Sequence, residues 1–383
     1  MSDASFYGLW TRQSWQEIVF AINSKTSQDV ERALKGTTPS LDDFMALISP
    51  AANPFLERMA AKAQRLTRQR FGRAVGMYVP LYLSNICANQ CTYCGFSAQN
   101  RIHRKTLNDD EIQQECDALK AMGFDHLVLV TGEHPKLVGM DYFRRHLPAI
   151  RQRFSHVMIE VQPLSQSEYA LLRTLGLDGV LIYQETYHAK TYAMHHLKGF
   201  KTDMRFRLET PDRLGRAGID KIGLGVLLGL SSQWRADSYL MALHLHYLQN
   251  RYWRSRYSLS FPRLRPCEGG ITPASNVSER QLLQLMCACR LMFPDVELSL
   301  STRESPRFRD HVTPLVINTL SAYSSTQPGG YAARGAQALA QFSPDDHRRP
   351  EEVARALCNA GMQPVWKDWD AHLGRTVGAH NNA

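Results

Sequence analysis

The sequence predicts an α/β fold, a (βα)8 TIM-type barrel with a helical cap before it and a short extension after it. Three observations carry that reading. Short apolar runs recur from Met77 onward with amphipathic stretches between them, the pattern of repeated βα units around a parallel sheet. The runs number eight, at 78–84, 126–131, 156–161, 179–184, 221–227, 257–261, 296–301 and 316–323. A chain of 383 residues is long enough for one barrel of roughly 250 residues with additions. A partial, open barrel is the alternative to a closed one.

Taken in order, residues 1–75 are expected to be helical, because Trp15, Ile18, Val19 and Ile22, and later Phe44, Leu47 and Ile48, recur at helical spacing without strand-like alternation. Residues 76–331 form the barrel. Helices are expected between its strands at 109–122, with an acidic first turn, at 165–175, at 205–217 ending on Gly218, and at 278–292. Residues 332–383 add a helix and an exposed tail carrying Trp366, Trp369 and Asp370.

Composition narrows the function classes. Apolar residues at 44% and charged residues at 21% describe a globular chain rather than a disordered or collagen-like one. The opening stretch lacks a basic start leading to an apolar run, and nowhere do about 18 apolar residues follow one another, so a cytoplasmic protein is expected. The net charge of +9 is diffuse, and its densest stretch, Arg251 to Arg256, reads equally as a helix end with solvated arginines. Eight cysteines are too sparse for a disulfide scaffold in a chain this long. Cys116, Cys267, Cys287, Cys289 and Cys358 read as ordinary core or surface residues.

The other three are grouped. Cys87, Cys91 and Cys94 follow the first strand directly, and soft sulfur ligands at this spacing suit an iron–sulfur cluster or zinc. A structural zinc site takes four ligands, whereas a four-iron cluster on three cysteines leaves one iron open to a small molecule. Further candidates lie at strand ends, where parallel barrels place their chemistry. These are Thr131-Gly132-Glu133 after the second run, Glu160 after the third and Gln184-Glu185 after the fourth. Gly223, Gly225 and Gly229 in and after the fifth run leave room for close approach to the backbone.

The stretch Cys87-Ala-Asn-Gln-Cys91-Thr-Tyr93-Cys94 resembles the cluster loop of the radical SAM superfamily, including the aromatic Tyr93 before the third cysteine. The resemblance implies a 4Fe–4S cluster on the three cysteines and S-adenosyl-L-methionine (SAM) as cofactor. It implies further that Thr131, Gly132 and Glu133 receive the SAM amino group through backbone oxygens, that Glu160, Gln184 and Glu185 hold its ribose or ammonium, and that Gly223 and Gly225 admit its adenine.

Across 78–331 the resemblance narrows to the aromatic amino acid lyases of that superfamily, on the segments at 183–188 (YQETYH), 261–266 (FPRLRP), 300–305 (LSTRES) and 328–331 (PGGY). It makes Ser301 and Arg303 the binders of the substrate carboxylate, a task for which a planar guanidinium is suited. The plainer reading of Arg303 is an ion pair with Glu304. After position 331 only Cys358 occurs, too few sulfurs for a second cluster, and the ending at 364–370 (PVWKDWD) is similar to the tyrosine lyases that serve the thiazole ring of thiamine.

The implied reaction cuts L-tyrosine to 2-iminoacetate and p-cresol, with an electron from a flavodoxin-like donor. The implied partner is a thiazole synthase that takes the water-sensitive product, with the Trp366 and Trp369 tail as a candidate contact. Two alternatives stay open: a radical SAM lyase acting on another substrate, such as tryptophan, and a metal-stabilised nucleic-acid-binding protein served by the basic stretch at 251–257.

Overall fold

A computed structural model describes residues 5–332 and 340–367. Eight parallel strands form the barrel: β1 Ala74–Ser84, β2 His126–Thr131, β3 His156–Glu160, β4 Gly179–Glu185, β5 Lys221–Val226, β6 Arg256–Ser260, β7 Glu297–Leu300 and β8 Thr319–Ser321. Each pairs with the next, and β8 pairs back onto β1 through Gly76↔Thr319 and Met77↔Leu320, so the barrel is closed and the open alternative falls away.

Alternation along the strands divides their side chains into two cores. Val75, Met77, Val79, Leu81, Leu127, Leu129, Val157, Ile159, Ile222 and Leu224 face outward into the layer shared with the helices. Tyr82, Val128, Val130, Met158 and Leu181 face inward, packed with Tyr78 and Tyr183. The strand side chains facing the outer core are apolar, and each fully buried one of this size contributes about 1.5–3 kcal/mol. The inner one is lined by hydroxyl-bearing rings, which leaves a polar cavity along the axis.

Local signals set the helices. Asn108 with Glu111, Ser165 with Glu168 and Ser278 with Gln281 form reciprocal caps at the starts of Asp109–Ala121, Gln166–Thr174 and Glu279–Met292. The helix expected over 205–217 is instead two, Met204–Leu208 and Thr210–Ala217, with Pro211 in the first turn of the second. Proline offers no amide hydrogen and disfavours a helical residue before it, so the break falls at Glu209. The second piece does end at Gly218, in the left-handed conformation with φ 71°.

The helices before β1 lie against the barrel's outer helices Trp234–Arg251, Glu279–Met292 and Pro306–Val316, forming a flanking layer. Beyond β8, the helix Pro350–Asn359 leads to a ninth strand, β9 Gln363–Val365, which pairs with Ala74–Gly76 at the start of β1. The tail was expected to be exposed, yet Trp366 is half-buried with its ring edge-on to Phe124 at 5.3 Å. Pro364 in a run of three residues hides this strand from sequence patterns, and an edge position is where proline is tolerated. Trp369 and Asp370 lie outside the described residues. Among the described residues no helix is long and apolar enough to cross a membrane.

A buried ion pair ties the extension to the barrel. The side chains of Arg309 and Asp346 are 1% and 0% exposed and hydrogen-bond to each other, and Arg309 also donates to the Ser321 carbonyl at the end of β8. Removing one partner strands a buried charge, so Asp346→Ala is expected to cost about 3–5 kcal/mol. The denaturant midpoint measures it, and a loss under about 1 kcal/mol, the scale of a surface pair, would contradict this account.

Candidate active site

The loop after β1 carries the three cysteines, and with no ladder of its own it is fastened by side chains. Asn85 donates to the His103 carbonyl at 2.8 Å and accepts from the Lys105 amide at 2.7 Å. Arg104 reaches the carbonyls of Asn85 and Phe96 at 2.7 Å, Ser97 at 2.6 Å and Asn100 at 3.1 Å, so one guanidinium gathers both ends of the loop. Gly132 supports it from below, since a Cβ there would collide with the Ile86 carbonyl and crowd the Cβ of Cys87 at 3.1 Å.

A second segment, after β4, locks the loop from the other side. Gln90–Cys91 pairs antiparallel with His196–Lys198, the Thr92 hydroxyl meets Nδ1 of His195 at 2.6 Å, and the Tyr93 hydroxyl meets Nε2 of His196 at 2.7 Å. Lys201 donates its amide to the Asn89 side chain at 3.0 Å. None of Asn89, His195, His196, Lys201 or Arg207 stands out in the sequence, because histidines and lysines in a polar connection carry no periodic signal.

Burial, then the charge of Glu133, pushes the Cys87 thiol up to about 11, and burial likewise raises Cys91 and Cys94, against which the charge of Lys201 acts only in part. Three such thiols become thiolates together only when a cationic group sits among them. Among the described residues no trio of His, Cys, Asp or Glu is placed to hold a single metal ion, the cysteines included. Three soft thiolate donors on one loop are a set that suits an iron–sulfur cluster. The fourth thiol nearby, Cys267, is engaged with the Tyr93 carbonyl at 3.2 Å.

Buried charges surround this loop. Glu133 accepts from Arg207 at 2.9 Å and from Asn89 at 2.7 Å. Burial alone would raise its carboxyl, but Arg207 and Lys201 outweigh that and hold it below the ordinary range. Arg207 also donates to the Tyr183 carbonyl at 2.8 Å. Glu185, in a left-handed conformation with φ 68° at a bulge in β4, pairs with Lys201 at 2.8 Å. Glu160 is different, because its carboxylate makes no hydrogen bond or ion pair among the described residues, and burial followed by the charge of Glu185 raises it to about 7.

The inner cavity runs from these groups to the predicted substrate clamp. Tyr93, Cys94, Glu160, Glu185 and Arg303 line one stretch, and Glu160, Tyr183, Arg303, Ser301, Tyr78 and Ser299 line the next. The Arg303 guanidinium lies over the Phe342 ring, 3.4 Å from its centre, and its only hydrogen bond among the described residues is to the Arg263 carbonyl at 3.4 Å. Glu304 is taken by Arg263, with one contact at 2.9 Å, so the surface pair of Arg303 with Glu304 does not form. Phe342 and Gln341, which accepts from the Tyr82 hydroxyl at 2.7 Å, come from beyond residue 331, where the sequence suggested the barrel ended.

The remaining predicted residues are placed less directly. Thr131 follows the outward pleat of β2, and its buried hydroxyl has no partner among the described residues. The Glu133 carbonyl accepts from the Ala88 amide at 2.9 Å, which seats the cysteine loop on this turn. Gln184 is the bulge residue of β4 and lines neither stretch of the cavity. A Cβ on Gly225 would stand 2.7 Å from the Tyr183 ring and one on Gly223 2.9 Å from the Ser258 hydroxyl, so neighbouring side chains already occupy that space. A larger cavity of about 340 Å³ opens among Gly76, His126, His156, Lys221, Arg256 and Thr319, at the N-terminal ends of the strands and away from the thiols.

Two expectations follow from this geometry. Gly132→Ala should keep the far-ultraviolet dichroism of the native barrel yet destabilise the loop by about 1–3 kcal/mol and bind markedly less iron on reconstitution; full iron content would remove the steric argument. Glu160 ionises at 4.5 in the unfolded chain but at about 7 in the fold, so its favourable contribution is complete below 4.5 and is lost as pH rises to 7. Glu160→Gln should therefore gain stability over the wild type across that window, by roughly 1–3 kcal/mol at the upper end, in denaturant titrations of the cofactor-free protein. A difference that stays constant with pH would contradict the burial argument.

Comparison with known proteins agrees with this geometry. The Radical SAM superfamily pattern matches residues 81–242, and the Biotin and Thiamin Synthesis associated domain matches residues 260–363, spanning the segment that brings Gln341 and Phe342 into the cavity. The chain is 64% identical over 371 residues to the 2-iminoacetate synthases of Salmonella typhimurium and Escherichia coli, covering 97% of this chain and 98% of each of theirs. Its structure is similar to that of the FeFe-hydrogenase maturase HydG from Carboxydothermus hydrogenoformans, with a TM-score of 0.86 and 30% identity over 94% of this chain and 84% of that one. A closed (βα)8 barrel with three loop thiols above an arginine-lined cavity, carried on a sequence this close to those enzymes, belongs to the 2-iminoacetate synthase family of the radical SAM superfamily.

Proposed function

We propose that this chain is a carbon–carbon lyase that cleaves the Cα–Cβ bond of L-tyrosine to 2-iminoacetate and p-cresol, supplying the thiazole ring of thiamine. The observation that carries the reading is Arg303: a half-buried guanidinium, held over the Phe342 ring without an ion-pair partner among the described residues, in the same cavity as Cys94. Such a group is poised for a substrate carboxylate, which it can take bidentately. Ser301 lines the same stretch and offers a hydroxyl to that carboxylate.

Cys87, Cys91 and Cys94 would hold a 4Fe–4S cluster, which together with SAM supplies a 5'-deoxyadenosyl radical, with methionine and 5'-deoxyadenosine as the spent products. The protein's task is placement, because a radical reacts with whatever lies nearest. Tyr93 keeps its hydroxyl on His196 and so holds Cys94 in position. Glu160, unpartnered among the described residues, would accept ribose hydroxyls or the SAM ammonium, with Glu185 and Gln184 behind it. Carbonyls of Thr131, Gly132 and Glu133 would meet the SAM amino group, and because Leu181, Ser258 and Tyr183 fill the space over Gly223 and Gly225, the adenine would lie beside these glycines of β5 and not against them.

The electron would come from a flavodoxin-like donor. The water-sensitive product would pass to a thiazole synthase in the cytoplasm. Because Trp366 packs on Phe124, the tail offers that partner less free surface than its sequence suggested.

An anaerobic assay of the reconstituted protein with SAM, a reductant and each of tyrosine, tryptophan and phenylalanine tests the reading. Tyrosine-dependent p-cresol and glyoxylate, the hydrolysis product of 2-iminoacetate, are expected; 5'-deoxyadenosine without p-cresol would overturn the substrate. Arg303→Lys keeps the charge but loses the planar fork, so kcat/KM for tyrosine should fall about 10–100-fold. Unchanged kcat/KM would place the carboxylate elsewhere.

A further inference from the structure

The segment that locks the cysteine loop also exposes an apolar surface. Met194, Leu197, Phe200 and Phe206 are 67%, 53%, 67% and 41% exposed, and they make up four of the seven large hydrophobic side chains left open among the described residues. All four fall within 13 residues, whereas the other three, Phe20, Leu137 and Trp253, are scattered along the chain. Concentrations of this kind mark interaction sites, while single exposed apolar residues need no explanation.

Charge says what kind of partner fits. Exposed Lys190, Lys198 and Arg205 fall in the same stretch, Arg205 lying 3.5 Å from the half-buried Glu209, against one exposed anion, Asp203, which accepts from the Phe206 amide at 2.8 Å. Across the cysteine loop, the turn that follows Glu133 exposes Lys136 and Leu137, extending the same mixture of apolar and cationic groups. A surface with an apolar centre and a cationic rim fits an acidic protein, which such a field also steers into place.

Position says what the partner delivers. His196–Lys198 is paired with Gln90–Cys91, so the backbone that displays Leu197 and Lys198 is bonded to the backbone of a cluster-binding cysteine. Phe200 lies between Gly199, which is packed against Asn89 of the loop, and Lys201, whose amide donates to Asn89. Among the described residues, no other exposed large hydrophobic side chain sits on a strand paired with a cluster-binding cysteine.

We propose that the surface formed by Lys190, Met194, Leu197, Lys198, Phe200 and Phe206 is the docking site of an acidic, low-potential, one-electron carrier protein. The inference rests on the radical SAM reading above. In each docking event one electron leaves the reduced carrier and enters the cluster, the carrier being oxidised by that electron and the cluster reduced by it. The backbone pairing makes the route short, while the buried Glu133 and Arg207 stay out of the contact.

The test compares two reductants on the full-length, reconstituted protein: dithionite, which needs no docking surface, and flavodoxin reduced by its reductase. Phe200→Asp with Lys198→Glu should leave 5'-deoxyadenosine and p-cresol formation with dithionite at the wild-type rate, which also shows that the variant folds and holds its cluster. With flavodoxin the rate should fall at least about tenfold, and the wild-type flavodoxin rate should fall with added salt while the dithionite rate does not. The milder Lys190→Gln should show a smaller loss with flavodoxin alone. Variants that work equally well with flavodoxin would overturn the proposal, as would variants that dissociate a dimer or release a thiazole synthase while both rates stay unchanged. Wild-type protein that cleaves no SAM with either reductant would instead remove the radical SAM reading, and the docking site with it.

Discussion

The buried carboxylate of Glu133 is the point on which the site depends. It joins Asn89 of the cysteine loop to Arg207, and Arg207 in turn holds the carbonyl of Tyr183 near the end of β4. Three separate stretches of chain thus meet on one ion pair, at the end of the barrel where parallel strands finish. Such a pair contributes little net stability against an apolar replacement of the same shape, since both charges give up their water. What it supplies is registry: neither charge tolerates a buried position without the other, so the loop, the end of β2 and the segment after β4 are held to one arrangement.

That arrangement explains why so irregular a loop can be rigid. Between Ser84 and Thr106 the backbone has almost no ladder, and its carbonyls are satisfied by Arg104 and Asn100 instead. Gly132 lets the loop lie directly on β2. The thiols are therefore presented by a scaffold fastened by the protein's own side chains, which is what a site steering a reactive species by position requires.

The cavity below shows the same economy of parts. Tyrosines facing inward spend their hydroxyls on serines of neighbouring strands, Tyr78 on Ser299 at 3.1 Å and Tyr183 on Ser260 at 3.0 Å, and among the described residues Glu160 and Arg303 are the charged groups along it without an ion-pair partner. Opposite charges facing one cavity suit a zwitterionic ligand, or a cofactor and a substrate that each carry both signs. The segment at 341–342, remote in sequence from every strand that carries the predicted residues, closes this space and stacks on Arg303.

How much of this could be read in advance depends on the range over which each interaction acts. The eight strands, the three thiols, the Gly-Glu turn and the reciprocal helix caps are written within a few neighbouring residues each, because alternation, ligand spacing and capping are local properties. The split at Pro211 is local as well and was legible from the proline itself. By contrast β9, the seat of Trp366 on Phe124, the clamp of Thr92 and Tyr93 on two adjacent histidines, and the freedom of Arg303 from Glu304 were decided in the folded molecule. Each joins residues from 41 to about 290 positions apart, between Arg263 and Glu304 at the short end and β1 and β9 at the long one. A chain's sequence determines which side chains seek a partner, whereas only closure of the barrel determines which partners are within reach.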